Sequence, residues 1–526
     1  MRLRYSFIIV LIFLLNSCSN NSTHNSVDAL KLNITQEPIT LDPRAVSDLS
    51  SANVVKMLFE GLCRRQPDGA IIPALADEII SKNNGLTYCI HLRECYWTNG
   101  DRITSNDVIY SWSSVLSPDF VSPQAAMLYA IKNGEKVKKK ELPESSLAIR
   151  FIDEYTLEVD LEQAYPYFSD LLAFPTFFPV SKKIAQSNNQ WWHDQATICC
   201  SGPFKISDWK HDVSILIKKN PFYWDADIVK MPEVQLIMVS NNITEFSLFE
   251  SGDIDWTGAP FHQFSQEIVP ILKEKKLLKE QPILGVEWYQ FNTEKLPFNN
   301  VHMRQAFALA INRQEIVENL FSHHHVATGL VPKGLYTSSM NFIKDNQVEI
   351  AQALFQQGLK ELKLTKDQLP PITLSFNSNE NHRRIAQAIQ QQWKNAFGIS
   401  VNLESCEWQV YLNKIDQHDF QISRLGWVAY GIRNPITFLK VFQFKGGNNS
   451  TQWENPVYKD LINSYLEDTS HNEHQLLNAE HLLIDEAVVA PIFFHTFQYA
   501  QNPRLKEVYL SDLGDIDLRW SYFELN

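Results

Sequence analysis

The stretch ITLSFN at residues 372–377 opens the part of the chain that decides the fold. Its apolar side chains alternate at Ile372, Leu374 and Phe376, and a period of two predicts a strand. The next apolar residues recur at a four-residue step, which predicts one face of a helix. They are Ile385, Ile389, Trp393 and Phe397, and Gly398 ends the predicted helix.

The same alternation continues after this helix. Ile399, Val401 and Leu403 predict a second strand, the helical period returns over 408–415, and residues 420–427 predict a third strand. Strand, helix, strand, helix and strand in this order indicate a mainly parallel sheet covered by helices. Ligands of such sheets lie beyond the carboxyl ends of the strands, so we expect a ligand near residues 424–430.

The first half of the chain follows a different pattern. Thr87–Leu92 and the segment around Trp97 predict two strands, with a turn at Asn99-Gly100. Thr104 then begins a helix with a capping pattern. One face of a further helix, which follows residue 300, is predicted to hold Phe307, Ala310, Ile311 and Phe321.

Composition indicates a large protein with apolar cores. The chain has 526 residues, of which 44% are hydrophobic and 12% aromatic, so we expect two or three domains. The formal net charge is −13, which gives no reason to expect a nucleic-acid partner.

The first eighteen residues predict export. Two arginines precede an apolar run of 11 residues, Tyr5–Leu15, which is too short for a membrane span. A cysteine directly after such a run resembles the bacterial lipobox. We therefore predict a signal peptide over 1–17, a flexible tether over 18–27, and a lipid on Cys18 that holds the protein to a membrane in the periplasm or cell envelope.

A search for reactive groups indicates neither an enzyme nor a metal site. The sequence has no Gly-x-Ser-x-Gly elbow, phosphate loop, Gly-x-Gly-x-x-Gly or His-Glu-x-x-His motif. The three adjacent histidines at 323–325 cannot all face one ion in a regular element, so a solvated loop is the preferred interpretation. We expect no catalytic residue, no cofactor and no metal.

The cysteines leave the disulfide state open. Besides Cys18 there are six, at positions 63, 89, 95, 199, 200 and 406. An even number can pair in an oxidising compartment, and Cys89 and Cys95 flank a predicted strand. Connectivity cannot be deduced, and buried or singly paired thiols are the preferred interpretation.

Short motifs along nearly the whole mature chain resemble those of the extracytoplasmic peptide-binding proteins of ABC importers, solute-binding family 5, and most closely the oligopeptide branch. Each motif is weak alone, but their order is specific. They are Leu41-Asp42-Pro43, Leu58-Phe59-Glu60-Gly61-Leu62, Ile72-Pro73-Ala74-Leu75-Ala76, Leu92-Arg93, Trp97-Thr98-Asn99-Gly100, Asp107-Val108, Gly202-Pro203-Phe204, Asn220-Pro221-Phe222-Tyr223-Trp224, Ser251-Gly252-Asp253-Ile254-Asp255, Phe298-Asn299-Asn300-Val301, Arg424-Leu425-Gly426-Trp427 and Asn434-Pro435.

The resemblance implies an α/β fold with two lobes, an extra small subdomain in lobe 1, and a ligand cleft between the lobes. It places the lobe 1 core at 28–60, 181–284 and 498–526, the inserted subdomain at 61–180, and lobe 2 at 285–497. The implied function is capture of oligopeptides or peptide-like ligands and their delivery to ABC importer permease subunits, by a monomer. Alternatives are a carrier of cell-wall peptide, metal chelate or haem on the same fold and, in a different class, an extracytoplasmic hydrolase.

The resemblance also implies the residues that contact the ligand. Gly426, Trp427 and Val428 would offer backbone groups from lobe 2, and Ser47–Leu49 from lobe 1. Further positions near the ligand are Asn377, His382, Trp408 and Arg424. The Arg424 guanidinium has two readings, since it can meet a ligand carboxylate or form a structural salt bridge.

One position departs from the family pattern. Relatives that hold a free peptide amino terminus have an Asp shortly after the Gly-Trp pair, but Tyr430 stands in that place here. A buried ammonium without a carboxylate is costly. Either Asp48 supplies a carboxylate from the opposite lobe, or the preferred ligand lacks a free amino terminus or is not a standard peptide.

Overall fold

The computed structural model describes residues 29–265, 267–337, 340–468 and 472–524. The predicted signal peptide, the tether and Cys18 lie outside these residues. None of the helices in the described ranges is long and apolar enough to cross a membrane.

The strands share an extended backbone and range from two to thirteen residues. They are β1 (Leu30–Asn33), β2 (Cys63–Arg65), β3 (Ile71–Pro73), β4 (Ala76–Lys82), β5 (Thr87–Leu92), β6 (Ile149–Phe151), β7 (Thr156–Asp160), β8 (Phe204–Lys210), β9 (Ser214–Lys219), β10 (Glu233–Ile237), β11 (Trp256–Gly258), β12 (Lys279–Phe291), β13 (His325–Val326), β14 (Ile372–Asn377), β15 (Val401–Cys406), β16 (Ile422–Val428), β17 (Val489–Gln501), β18 (Leu505–Lys506), β19 (Tyr509–Leu510), β20 (Ile516–Asp517) and β21 (Tyr522–Phe523).

The α-helices cover the faces of the sheets. They are α1 (Leu49–Leu58), α2 (Ser105–Leu116), α3 (Gly134–Lys138), α4 (Phe168–Leu172), α5 (Lys182–Ser187), α6 (Asn242–Ser251), α7 (Ile268–Glu274), α8 (Val301–Leu309), α9 (Arg313–Leu320), α10 (Val348–Leu362), α11 (Glu380–Phe397), α12 (Trp408–Asp416), α13 (Ile436–Leu439), α14 (Pro456–Glu467) and α15 (His474–Asp485). Short 3-10 helices lie at Pro43–Ala45, Asn83–Gly85, Ala125–Ala130, Glu144–Ser146, Pro175–Phe177, Trp191–His193, Ala226–Ile228, Lys366–Gln368 and Lys440–Phe442.

One sheet of 11 strands runs through both lobes in the order β15-β14-β16-β12-β17-β11-β1-β10-β9-β8, with β13 beside β17. β14 is parallel to β15 and β16, and β1 is parallel to β10 and β11. The remaining pairs are antiparallel, so the sheet is mixed, and the expected parallel pairing occurs in the decisive stretch and again around β1. Helical crossovers fix the direction of β14, β15 and β16, whereas β12 and β17 are reached by other connections.

The decisive stretch folds as predicted. β14, α11, β15, α12 and β16 occur in the predicted order, and Gly398 ends α11 with a φ of 63°. Trp393 is fully buried in α11 and donates its ring N–H to the Phe307 carbonyl at 2.8 Å. This contact joins α11 to α8 in the core of lobe 2.

A separate antiparallel sheet, β4-β5-β7-β6, lies within the segment predicted as the inserted subdomain. The capping box of α2 between Thr104 and Asp107 is present. The predicted strand around Trp97 is wrong, because only an isolated bridge joins Tyr96 to Arg102. The chain turns at Gly100, whose φ is 85°, and this early turn leaves too few residues on either side for a longer pair of strands.

One further expectation is corrected. The helix after Asn300 is divided into α8 and α9, because the Asn312 side chain accepts the Glu315 N–H at 3.0 Å and caps a new helix. Ile311 and Phe321 therefore do not lie on the helix of Phe307. The six cysteines in the described ranges are unpaired thiols, and four of them, at positions 63, 95, 199 and 200, are buried, in agreement with the preferred interpretation.

Candidate ligand-binding cleft

The cleft contains an open strand edge on β16. This strand pairs with β12 from Ile422 to Val428, but with β14 only at Ile422 and Ser423. Beyond Ser423, no strand of the described chain covers the second edge. The exposed backbone lies where the sequence placed the ligand.

The direction of the backbone groups on this edge follows from the ladder. Ala429 donates its N–H to the Leu284 carbonyl at 2.7 Å. In an antiparallel pair such bonds recur at every second residue, so Leu425 and Trp427 turn their backbone groups toward β12. Gly426 and Val428 turn their N–H and C=O groups toward the open edge. Two of the three predicted backbone positions are therefore placed for an extended ligand.

A buried ion pair lies beside this edge. The Arg424 guanidinium donates to both carboxylate oxygens of Glu287, with Nη2 2.5 Å from Oε2. The Glu287 side chain is only 1% exposed. A Cβ atom at Gly426 would meet Glu287 Oε2 at 3.1 Å, which explains the glycine at this position. The structure therefore places Arg424 in the salt bridge that was one of its two readings.

Two histidines adjoin this ion pair. Burial and the Arg424 charge lower the pKa of His495 to about 3 and the pKa of His382 to about 4, so both rings are neutral at pH 7. His382 Nδ1 and Asn377 Oδ1 are buried and have no hydrogen-bond partner among the described residues. These two predicted positions therefore retain hydrogen-bonding capacity for a ligand.

Trp408 lies in the first turn of α12 and is 43% exposed. Its ring stacks on Tyr411 with 6.2 Å between centroids, and the Tyr411 hydroxyl donates to the Arg424 carbonyl. The structure thus brings Trp408 close to Arg424 through their shared neighbour Tyr411.

Asp48 and Tyr430 belong to opposite lobes and lie close enough for the Asp48 charge to act on the Tyr430 hydroxyl. Asp48 caps α1 by accepting the Ser51 N–H through Oδ1 at 2.8 Å, and its Oδ2 is buried without a partner in the described chain. The buried Tyr430 hydroxyl also lacks such a partner. Burial and the negative charges of Asp48 and Asp515 raise the pKa of Tyr430 to about 12. Of the neighbouring positions, Ser47 is exposed and Leu49 packs near Gly514.

Glu287 and His495 were not found from the sequence. The signal for Glu287 was a single charge inside the apolar run 283–291, which a fully buried strand does not tolerate without a partner. The partner is 137 positions away and has no sequence signature.

The expectation of a solvated loop at the three histidines is wrong for His324. Its ring stacks on Phe493 with 4.5 Å between centroids, and its Nδ1 accepts the Thr496 N–H at 3.2 Å. In the ranges described, no group of three or more His, Cys, Asp or Glu residues is arranged to hold a metal ion.

Comparisons with known proteins agree with this geometry. Residues 70–450 match the family model of bacterial extracellular solute-binding proteins, family 5 Middle. The oligopeptide-binding protein OppA of Bacillus subtilis is 38% identical over 546 aligned residues, which cover 100% of both chains. The dipeptide-binding protein DppE of the same organism is 32% identical and covers 94% of this chain and 91% of its own.

Solved structures show the same architecture. The unliganded open form of the murein tripeptide-binding protein MppA superposes with a TM-score of 0.81 and 25% identity, covering 95% of this chain and 98% of that one. Listeria monocytogenes OppA bound to peptide gives a TM-score of 0.74 and 27% identity, with coverage of 95% and 100%. Both the sequence motifs and the two-lobed fold around the β16 edge therefore lead to one conclusion: the chain belongs to the bacterial extracellular solute-binding proteins of family 5.

Proposed function

We propose that this protein captures oligopeptides between its two lobes and delivers them to the permease subunits of an ABC importer. It acts as a binding protein without catalysis or cofactor, and as a monomer. The names of the similar proteins OppA and DppE support peptides as the ligand class.

The observation that carries this proposal is the open edge of β16. An extended peptide can pair with the Gly426 and Val428 backbone as an added strand. Since the backbone is the same in every peptide, such pairing tolerates varied sequences. Neutral His382 and the unpartnered Asn377 oxygen add polar groups beside the same edge.

Closure of the lobes would complete the site. In this proposal the lobes have the boundaries that the resemblance implies, and β12 and β17 cross between them. The pairing of β12 and β17 is interrupted between Pro282 and Val286, where Leu284 also donates its N–H to the Asp512 carbonyl. Such a break in a ladder allows local bending. A ligand that touches both lobes binds the closed state better and shifts the population toward it.

The amino terminus of the peptide lies at Asp48 and Tyr430 in this proposal. The unpartnered Asp48 oxygen offers a carboxylate from lobe 1, in place of the acidic residue that is absent at position 430. This choice favours the first of the two alternatives that the sequence left open.

A backbone substitution tests the open edge. Val428→Pro removes the N–H that faces the edge but no N–H of the β12 ladder, while Val428→Ala keeps both. Val428 is 42% exposed, so neither change opens a core cavity. Calorimetry with tri-alanine, tetra-alanine and penta-alanine should show about threefold to tenfold weaker binding for the Pro variant alone, the value of one hydrogen bond.

Thermal unfolding of the three proteins serves as the control for folding. Unchanged affinity in a folded Val428→Pro protein would contradict pairing at this edge. Failure of the parent protein, emptied of ligand, to bind a broad library of free and modified peptides would contradict peptide binding altogether.

A further inference from the structure

The loop that follows β16, residues 429–434, contacts lobe 1, and we call it the junction loop. Its Gly431 carbonyl accepts a hydrogen bond from Arg65 Nη2 at 3.3 Å. The backbone N–H of Arg433 donates to Asp170 Oδ1 at 3.2 Å. In the proposed division of the chain, Arg65 and Asp170 belong to the inserted subdomain of lobe 1, and the junction loop belongs to lobe 2. The two lobes are therefore joined here by their own atoms.

Lobe 1 holds these two side chains in place by contacts of its own. Arg65 Nη2 pairs with Asp170 Oδ1 at 2.6 Å, and the two side chains are only 12% and 17% exposed. Arg65 Nη1 also donates to the Gly69 carbonyl at 2.9 Å. All three residues lie in the inserted subdomain, so lobe 2 is not needed to orient them. The subdomain thus presents a preformed donor and a preformed acceptor to the junction loop.

The Arg433 side chain makes a third contact, to a different part of lobe 1. Its Nε donates to Asp512 Oδ2 at 2.9 Å, and Asp512 lies in the segment that returns to lobe 1 after β17. The Asp512 backbone carbonyl accepts the Leu284 N–H at 2.7 Å, in the interrupted part of the pairing between β12 and β17. Arg433 is thus tied to a residue that also contacts the place where we propose bending.

Aromatic packing brings the lobes together at the same loop. Phe174 of the inserted subdomain packs edge-to-face on Tyr430, with 5.1 Å between the ring centroids. A Cβ atom at Gly431 would collide with the Phe174 ring, so the absence of a side chain permits this close approach. The contact between the lobes therefore includes apolar packing as well as hydrogen bonds.

The predicted ligand edge is nevertheless exposed in this arrangement of the lobes. Val428 is 42% exposed and Trp408 is 43% exposed. The lobes thus touch at the junction loop while the cleft beside β16 is open to solvent. A rotation of lobe 2 that covers this edge would move the junction loop relative to lobe 1. Since hydrogen bonds have a narrow range of distance and angle, such a rotation would strain these contacts.

We propose that the junction loop acts as a brake on closure, in which the ion pair between Arg433 and Asp512 stabilises the open arrangement of the lobes. The inference rests on the proposed function and adds to the closing step a free energy that does not depend on the ligand. Every ligand must offset this free energy when the lobes close, so the apparent affinity for all peptides is lowered by one common factor. Such a brake keeps the cleft accessible to peptides.

Arg433→Gln tests the brake, because it removes the ion pair but keeps the backbone N–H that Asp170 accepts. We expect calorimetry to show about twofold to tenfold tighter binding of tri-alanine, tetra-alanine and penta-alanine, all by the same factor. Asp512→Ala should give a similar gain. The double variant should gain no more than either single variant, because both substitutions break one contact. Lys445→Gln is the matched control, since its ion pair with Glu294 lies within lobe 2.

Acetylated tri-alanine separates the brake from a direct effect of charge. Repulsion between the Arg433 guanidinium and a peptide ammonium at Tyr430 would act on free amines alone, whereas the brake acts equally on both forms. A gain confined to the free amine would overturn the inference, and so would unchanged or weaker binding of both forms. Failure of the parent protein to bind any peptide would instead refute the proposed function, and this inference with it.

Discussion

Several buried polar atoms at the predicted ligand positions have no partner among the described residues. They include Asp48 Oδ2, the Tyr430 hydroxyl, Asn377 Oδ1 and His382 Nδ1. Buried polar atoms are normally hydrogen-bonded, so these exceptions can accept or donate hydrogen bonds to a ligand. The Arg424 guanidinium is the opposite case, because Glu287 of the same chain already accepts its hydrogen bonds.

The first prediction at this scale concerns Asp48. A peptide with a free amino terminus should bind the parent protein about tenfold to a hundredfold more tightly than its acetylated form, the range for a hydrogen bond to a charged group. Asp48→Asn should abolish most of this preference. Asn is as good a helix cap as Asp, so the substitution leaves the start of α1 intact.

Calorimetry with the two forms of tri-alanine measures this ratio in both proteins. A strong preference for the free amine that persists in Asp48→Asn would place the ammonium elsewhere. The absence of any preference in the parent protein would favour a ligand without a free amino terminus.

Only some of the individual residues of the site could be predicted from the sequence. Gly426 and Val428 were predicted as backbone contacts, and the structure turns their backbone groups to the open edge. Glu287 was not predicted, because its role depends on its contact with Arg424, 137 positions away. A sequence shows that a buried charge needs a partner, but not which residue provides it.

Local elements were predicted where local physics decides them. The four-residue apolar step fixed α11, and Gly398 fixed its end through a positive φ. The division between α8 and α9 was missed although Asn312 is a good cap, because the apolar period continued past it. The parallel pairing was overextended, since direction away from the crossover units is set by tertiary contacts.

An element-scale prediction follows from α15. Its buried Glu480 accepts the N–H groups of Leu330 and Val331 at 2.7 and 2.9 Å, and so holds the loop after β13. Burial raises the pKa of Glu480 from 4.5 to about 7. Between these values the folded state keeps a proton that the unfolded state has lost, so this group lowers stability as pH rises.

Glu480→Gln removes that contribution. Relative to the parent, the variant should gain about 3 kcal/mol in free energy of unfolding between pH 5 and pH 8, an order-of-magnitude figure. Urea unfolding at both pH values measures the difference, and titration of the histidines cancels because both proteins share it. A difference between parent and variant that does not change with pH would show that Glu480 does not titrate in this range.

At the scale of the whole molecule, the prediction concerns attachment to the membrane. We propose that Cys18 carries the lipid, because only Asn16 and Ser17 separate it from the apolar run that ends at Leu15. Cys18→Ala should abolish lipid labelling and release the protein into the soluble fraction. Cys89→Ala, which removes an unpaired thiol, is the control. Unchanged membrane retention of the Cys18 variant would contradict the lipid anchor.

The position of β1 has a mechanical consequence. This strand is the first element after the proposed tether, and it lies between β10 and β11 with parallel pairing to both. A pulling force along the tether would load its hydrogen bonds in shear, so that they must fail together and not one by one. β12 and β17 are not paired with β1 and so do not bear this load directly. A force applied at the lipid anchor would therefore not open the ligand cleft.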